Sequence, residues 1–154
     1  MEPFSLENPV FIAYLIAAAL MVLKLMGQGW MTVALMMRKN AGLVSPEDIR
    51  RTPMNKEPSP EQLEPDPDVE RSRRMHRNDL ENIPGFLAAG LIFVAIDPPY
   101  IAAAILFAAF VLARLAHAWA YGTAKNHETR ATFYTIGSVS VIVMVLWALV
   151  ELLF

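Results

Sequence analysis

Three groups of residues in this chain have the types and spacing to do chemistry. The first lies between Asp66 and Phe86, D-P-D-V-E-R-S-R-R-M-H-R-N-D-L-E-N-I-P-G-F, with arginines at 71, 73, 74 and 77 beside Asn78, Asp79 and Glu81. Placed at 100° intervals on a helix, Glu70, Arg73, Arg74, Arg77, Asn78 and Glu81 fall within an arc of about 140°, with Ser72, His76 and Asp79 on the other side. The second is Arg114, His117 and Tyr121, which share one helical face within about 60°. The third is Arg130, Tyr134 and Ser138, spaced i, i+4, i+8. Arginine presents a planar fork of donors that matches carboxylate and phosphate geometry, so a surplus of arginine suits a small, multiply anionic ligand.

These groups sit in an unusual solvent. Of the 154 residues, 55% are hydrophobic, more than a water-soluble domain of this length needs. The apolar residues cluster in four stretches, 9–37, 80–96, 100–121 and 131–154, each nearly free of charge. Each is near the roughly 20 residues that carry a helix across about 30 Å of hydrocarbon. The expected fold is all-α: an integral-membrane four-helix bundle forming one domain over 1–154. Its spans are expected at about 9–37, 68–96, 100–121 and 130–153, with a hydrophilic loop at 38–67. Glu2 and Glu7 precede the first span and no small-residue cleavage site follows it, so it reads as a retained span.

The net charge of −2 gives no reason to expect a nucleic-acid partner, but the placement of charge is informative. Arg38, Lys39, Arg50, Arg51, Lys56 and the arginines of the second stretch lie between the first two spans, and Lys125 and Arg130 flank the third loop. The N-terminus and the Asp97-Pro98-Pro99 turn have no basic residue. By the positive-inside rule the first and third loops are cytoplasmic. The chain has no cysteine, which excludes disulfides, thiolate metal sites and a cysteine nucleophile, and no metal is expected. The absence of cysteine and the compact termini favour a bacterial inner membrane over the endoplasmic reticulum.

Position along the spans sharpens the candidates. Lys24 lies about 21 Å below Arg38 at the helical rise. It either snorkels or pairs with an acid of similar depth, Asp79 or Glu81. Arg114 is expensive inside a membrane, so it faces a polar cavity or pairs with a second-span carboxylate. His117 and Tyr121 suit either that cavity or an interfacial aromatic belt. The outer charges of the second helix could be solvated, with i,i+4 pairs such as Glu70–Arg74 and Arg77–Glu81. An apolar span carries Arg77, Asn78 and Glu81 inward, which solvation explains poorly. With Arg114, His117, Tyr121, Arg130 and Tyr134 they could line one pocket open to cytosol and to lipid, for an anionic ligand and an apolar second substrate.

Local signals complete the outline. Gly27-Gln28-Gly29 marks a close helix contact or a bend. Ser45-Pro46-Glu47-Asp48 predicts a capped surface helix from Pro46 to about Arg51. Prolines at 53, 58, 60 and 65 predict an extended, mobile loop over Thr52 to Pro65. Ile83-Pro84-Gly85 should interrupt and kink the second helix, because Pro84 removes the bond to Leu80.

Glu70-Arg71-x-x-Arg74-x-His76-Arg77-Asn78-Asp79-x-Glu81-Asn82 resembles the second-helix signature of the membrane-associated proteins in eicosanoid and glutathione metabolism, the MAPEG family. Ser45-Pro46-Glu47-Asp48, Arg114-x-x-His117-x-x-x-Tyr121 and Arg130-x-x-x-Tyr134-Thr135 match further blocks, at fitting distances, so the resemblance spans nearly the whole chain. It implies a four-helix subunit in a homotrimer, surrounded by membrane lipids, with glutathione as cosubstrate bound between subunits on the cytoplasmic side.

Carried over by position, the resemblance implies that Arg74, Arg77, Asn78, Glu81, His117, Tyr121, Arg130, Tyr134 and Ser138 contact glutathione. Arg38 is the nearest substitute for the family's first-helix arginine, since Met36 and Met37 stand where that arginine is expected. Arg130 would hold the sulfur as thiolate, and a neighbouring cation does favour the ionised, nucleophilic thiol. Asp48 matches an acid with a proton-transfer role in the prostaglandin E synthase branch. Lys24, Asp79 and Arg114 are left as structural polar residues.

The synthase branch has serine after the thiolate-binding arginine, and this chain has Ala131, as in the glutathione transferase branch, although Arg77 is synthase-like. The implied activity is conjugation of glutathione to hydrophobic electrophiles or lipids drawn from the bilayer, and the same thiolate could reduce lipid hydroperoxides. The alternatives are a glutathione-dependent isomerase of the prostaglandin endoperoxide type and a non-catalytic lipid-binding accessory protein.

Overall fold

A computed structural model describes residues 2–154 and gives the four expected helices: α1 Pro9–Lys39, α2 Pro67–Ala95, α3 Tyr100–Gly122 and α4 His127–Leu153. No strand occurs among the described residues. α1, α3 and α4 are each long and apolar enough to cross a membrane; α2, with its charged first half, is not. Each start is written locally. Asn8, Asp66 and Asn126 accept backbone N–H bonds at the starts of α1, α2 and α4, and Pro9 and Pro67 occupy first-turn positions where no donor is missed. α1 ends at Asn40, whose left-handed φ of 50° turns the chain into the loop.

α1 packs on α2 and α3, and α4 packs on α3 and α2. The apolar core between them is built around aromatic rings. Phe86 of α2 stacks on Phe110 of α3 with centroids 4.1 Å apart, and Phe107 takes edge contacts from Phe86 and Phe93. Gly90 is a packing requirement, since a Cβ there would lie 2.6 Å from the Tyr14 ring. The Tyr14 hydroxyl then reaches across to donate to the Leu87 carbonyl at 2.8 Å. Leu23, Ile101, Leu115, Ile142 and Leu149 remain exposed on the outer faces, the pattern of helices solvated by lipid rather than water.

Several local expectations are corrected. α2 runs unbroken through Pro84: one hydrogen bond is lost, and the packing of Ile83 and Phe86 on either side keeps the helix continuous. The surface helix expected from Pro46 to Arg51 is a single 3₁₀ turn over Pro46–Asp48, and the Ser45 side chain does not cap it. The connection Thr52 to Pro65 is less extended than its prolines suggest. A second 3₁₀ turn, Pro60–Leu63, starts in a Ser59 capping box, and its buried Gln62 bonds the side chains of Asn40 and Asn55. The close contact at Gly27-Gln28-Gly29 is made by the last two. A Cβ at Gly29 would meet His76 at 3.2 Å, and Gln28 donates to Ser72 Oγ at 3.0 Å, whereas Gly27 has open space.

Candidate functional site

The polar residues inside the bundle form two sets, one centred on α2 and one joining α3 to α4. The first set is organised by Asp79, which is fully buried. Lys24 of α1 reaches one carboxylate oxygen at 2.5 Å, and Nη2 of Arg114 on α3 reaches the other at 2.5 Å. Asp79, and not Glu81, is therefore the acid that Lys24 meets, and it takes Arg114 as well. Nη2 of Arg114 also donates to Asn78 Oδ1 at 2.8 Å. α4 passes close above the arginine at Gly137, where an added Cβ would lie 3.8 Å from Arg114 Cδ. No feature of the α4 sequence pointed to this glycine beyond its place within an apolar run.

The second set joins α3 to the start of α4. The guanidinium of Arg130 lies 4.7 Å from the centroid of the Tyr121 ring, a cation–π contact. Tyr121 in turn lies 4.9 Å from the buried His117 ring, one turn back on α3. Among the described residues, four buried side-chain nitrogens lack a hydrogen-bond partner, and all belong to this neighbourhood: Nε and Nη1 of Arg114, Nδ1 of His117 and Nε of Arg130. Arginine N–H groups left buried and unpaired are costly, so those of Arg114 and Arg130 mark a place where a ligand's acceptors are favourable.

Among the described residues the remaining candidates form no ion pair or ring contact with either set, though Arg38 shares a cavity with Tyr121. Arg74, Arg77 and Glu81 are exposed and form no ion pair among the described residues; Tyr134 is exposed and Ser138 half-buried on α4. Glu70 pairs with Arg73 at 2.5 Å, not with Arg74. Arg73 shares an arc with Arg77, yet its guanidinium turns back to the Gly42 carbonyl and Met36 at the end of α1. Arg38 faces a cavity of about 250 Å³ whose walls include Asp68, Arg71 and Tyr121. Asp48 is on the wall of a separate cavity of about 260 Å³, beside Val33, Met37 and Arg50. Among the described residues no three or more His, Asp or Glu side chains gather in a way that could hold a metal ion.

The MAPEG family model matches residues 14–150, which takes in α2 and α3, most of α1 and α4, and both polar sets. The chain belongs to the MAPEG family. Its relatives within the family carry two different names. Human prostaglandin E synthase is 32% identical over 145 residues, covering 92% of this chain and 91% of the relative. The bovine protein of that name is 33% identical over 153 residues, covering 96% of both. Bovine microsomal glutathione S-transferase 1 is 34% identical over 132 residues, covering 86% of this chain and 84% of the relative. Membership of a membrane family accords with three helices able to cross a bilayer.

Proposed function

We propose that this protein is a membrane glutathione transferase in which Arg130 holds the thiol of glutathione as thiolate. The observation that carries the reading is the state of Arg130. Its charge rests on the Tyr121 ring with no carboxylate partner among the described residues, and its Nε is buried and unpaired. A cation so placed is free to stabilise an anion, and a thiol beside it ionises below its ordinary pKa of about 8.5. The relative named microsomal glutathione S-transferase 1 and Ala131 next to Arg130 support the same choice.

In the reaction the thiolate sulfur attacks the electrophilic carbon, a C–S bond forms and the leaving group departs with its electron pair. The thiol proton passes to solvent when the thiolate forms. Arg77 and Arg74 hold carboxylates, Glu81 takes the amine, and Arg38, Asn78, His117, Tyr121, Tyr134 and Ser138 complete the contacts. Arg74, Arg77, Glu81 and Tyr134 lie on the surface of the single chain. A homotrimer in which each copy covers its neighbour's exposed patch turns that surface into a closed site. α2 crosses the membrane as the fourth span, shielded by its neighbours. The site faces the cytoplasm, on the side of Arg50, Arg51 and Lys56.

The test is glutathione-dependent conjugation of chlorodinitrobenzene by detergent-purified protein, wild type beside Arg130→Ala, with glutathione binding measured by calorimetry. Conjugation that collapses in the variant is expected; a wild type that neither conjugates nor binds glutathione sinks the reading. The identity to prostaglandin E synthases over most of the chain favours one second reading, a glutathione-dependent endoperoxide isomerase. That reading expects Ala131→Ser to raise isomerase activity and Asp48→Ala to abolish it.

A further inference from the structure

Arg114 makes an uncommon pair of bonds. The two hydrogens of its Nη2 go to two neighbouring residues of α2, Asp79 Oδ1 and Asn78 Oδ1. Arginine has no acceptor, so the Asn78 atom facing it is the amide oxygen and the amide nitrogen points elsewhere. Asn78 is half-buried, one helical turn from Arg74 and three residues before Glu81, at the inner border of the exposed patch. Its backbone carbonyl is also tied down, by the Asn82 side chain at 2.7 Å.

Lys24 decides why this arrangement holds. An arginine beside a carboxylate prefers a two-pronged fork that uses both carboxylate oxygens. Here Lys24 occupies Oδ2 of Asp79, so Arg114 is left with Oδ1 and spends the second hydrogen of Nη2 on Asn78. We infer that Lys24, Asp79 and Arg114 are positioning residues, a relay from α1 through α2 to α3 that turns the NH₂ group of Asn78 toward the ligand and makes Asn78 a donor to a carboxylate or carbonyl. The ligand's amine is thereby left to Glu81. Only the ligand's identity rests on the glutathione reading; the orientation of the amide does not.

The experiment has a ligand-bound and a ligand-free arm. In the first, calorimetry with glutathione compares wild type and Asn78→Asp, which keeps an acceptor for Arg114 but replaces the donors with a charge. Affinity falls about tenfold or more with the melting temperature retained. Lys24→Met raises KM for glutathione about tenfold while kcat stays within about twofold, and Lys24→Arg restores KM.

In the second arm the Asn78 side-chain amide is followed by NMR in ¹⁵N-asparagine-labelled, detergent-solubilised protein without ligand, assigned by its loss in Asn78→Asp. Its resonances coincide in wild type and Lys24→Arg and move in Lys24→Met. An unmoved amide, or an unchanged KM beside a lowered melting temperature, overturns the relay. Should wild type bind no glutathione, the proposed function fails and the amide signals alone decide the inference.

Discussion

Two groups of charge meet α3 in succession, one at Arg114 and one at His117 and Tyr121, and obey opposite rules. Around Asp79 the accounts close: one carboxylate meets two cations, both oxygens are used, and three helices are tied at one point. Around Arg130 they stay open, with a cation against a ring, no counter-charge, and unpaired nitrogens on Arg130, His117 and the far side of Arg114. A bundle that merely needed to be held together would carry the first group alone. The second is hard to justify without a ligand, because it leaves desolvated donors without acceptors.

The largest expected effect comes from opening the closed group. Asp79→Ala leaves Lys24 and Arg114 facing each other, buried and uncompensated, at a cost of about 3–5 kcal/mol. Thermal melting in detergent should drop steeply, and the fraction that stays folded should bind glutathione more weakly, because Arg114 has lost the carboxylate that sets its hold on Asn78. A variant that melts like wild type would show that water reaches Asp79 and that the two groups do not differ in kind.

Removing the open group's cation should do the reverse. Arg130→Ala is expected to keep its melting temperature, since no ion pair is broken, and to lose roughly 100- to 1000-fold in conjugation rate, as when one charge-stabilising donor is removed from an active site. The pH profile carries the sign. A cation lowers the thiol pKa, so the wild type should already be near full rate below pH 8.5, while the variant's rate should climb only as pH rises through about 8.5. Superimposable profiles would remove Arg130 from thiol activation.

How far these groups could be read from sequence follows from what side chains can reach. Three of the helices, α1, α3 and α4, were legible because lipid requires long apolar runs, and the arc carrying Asn78 and Glu81 on α2 followed from a 3.6-residue period. Direction along the helix was less legible. Arg73 and Arg74 are adjacent and chemically identical, yet one is drawn back to Gly42 and the other stays exposed, a difference set by where the loop after α1 passes. Depth narrowed the partner of Lys24 to two acids; only the packing of α1 against the far side of α2 chose Asp79. The cation–π contact of Arg130 depended on how the short turn after α3 folds back, and spacing does not encode that.

A smaller effect tests the exposed rim of the open group. Glu81 has no ion-pair partner among the described residues, so Glu81→Gln should leave melting unchanged. If it takes the ligand's amine, glutathione affinity falls about tenfold, the worth of a charge-assisted hydrogen bond. Calorimetry at two salt concentrations reads this directly, because a partly screened pair weakens as salt rises. Affinity equal to wild type would move the amine elsewhere.

The smallest effect is the sharpest control on the comparison. Asp68 also meets two cations, Lys39 at 2.7 Å and Arg71 at 2.8 Å, distances as favourable as those around Asp79. Geometry alone would rank the two aspartates together. They differ in solvent: Asp68 is 40% exposed and Asp79 is 0% exposed. Water and salt screen the outer pairs and rehydrate a cation that loses its partner, whereas Lys24 and Arg114 have no such recourse. Asp68→Asn should therefore produce no resolvable change in melting temperature or in glutathione affinity, beside the steep loss in Asp79→Ala. Equal losses at the two positions would mean that the burial of the charge, rather than the pairing, had been misjudged as the deciding quantity.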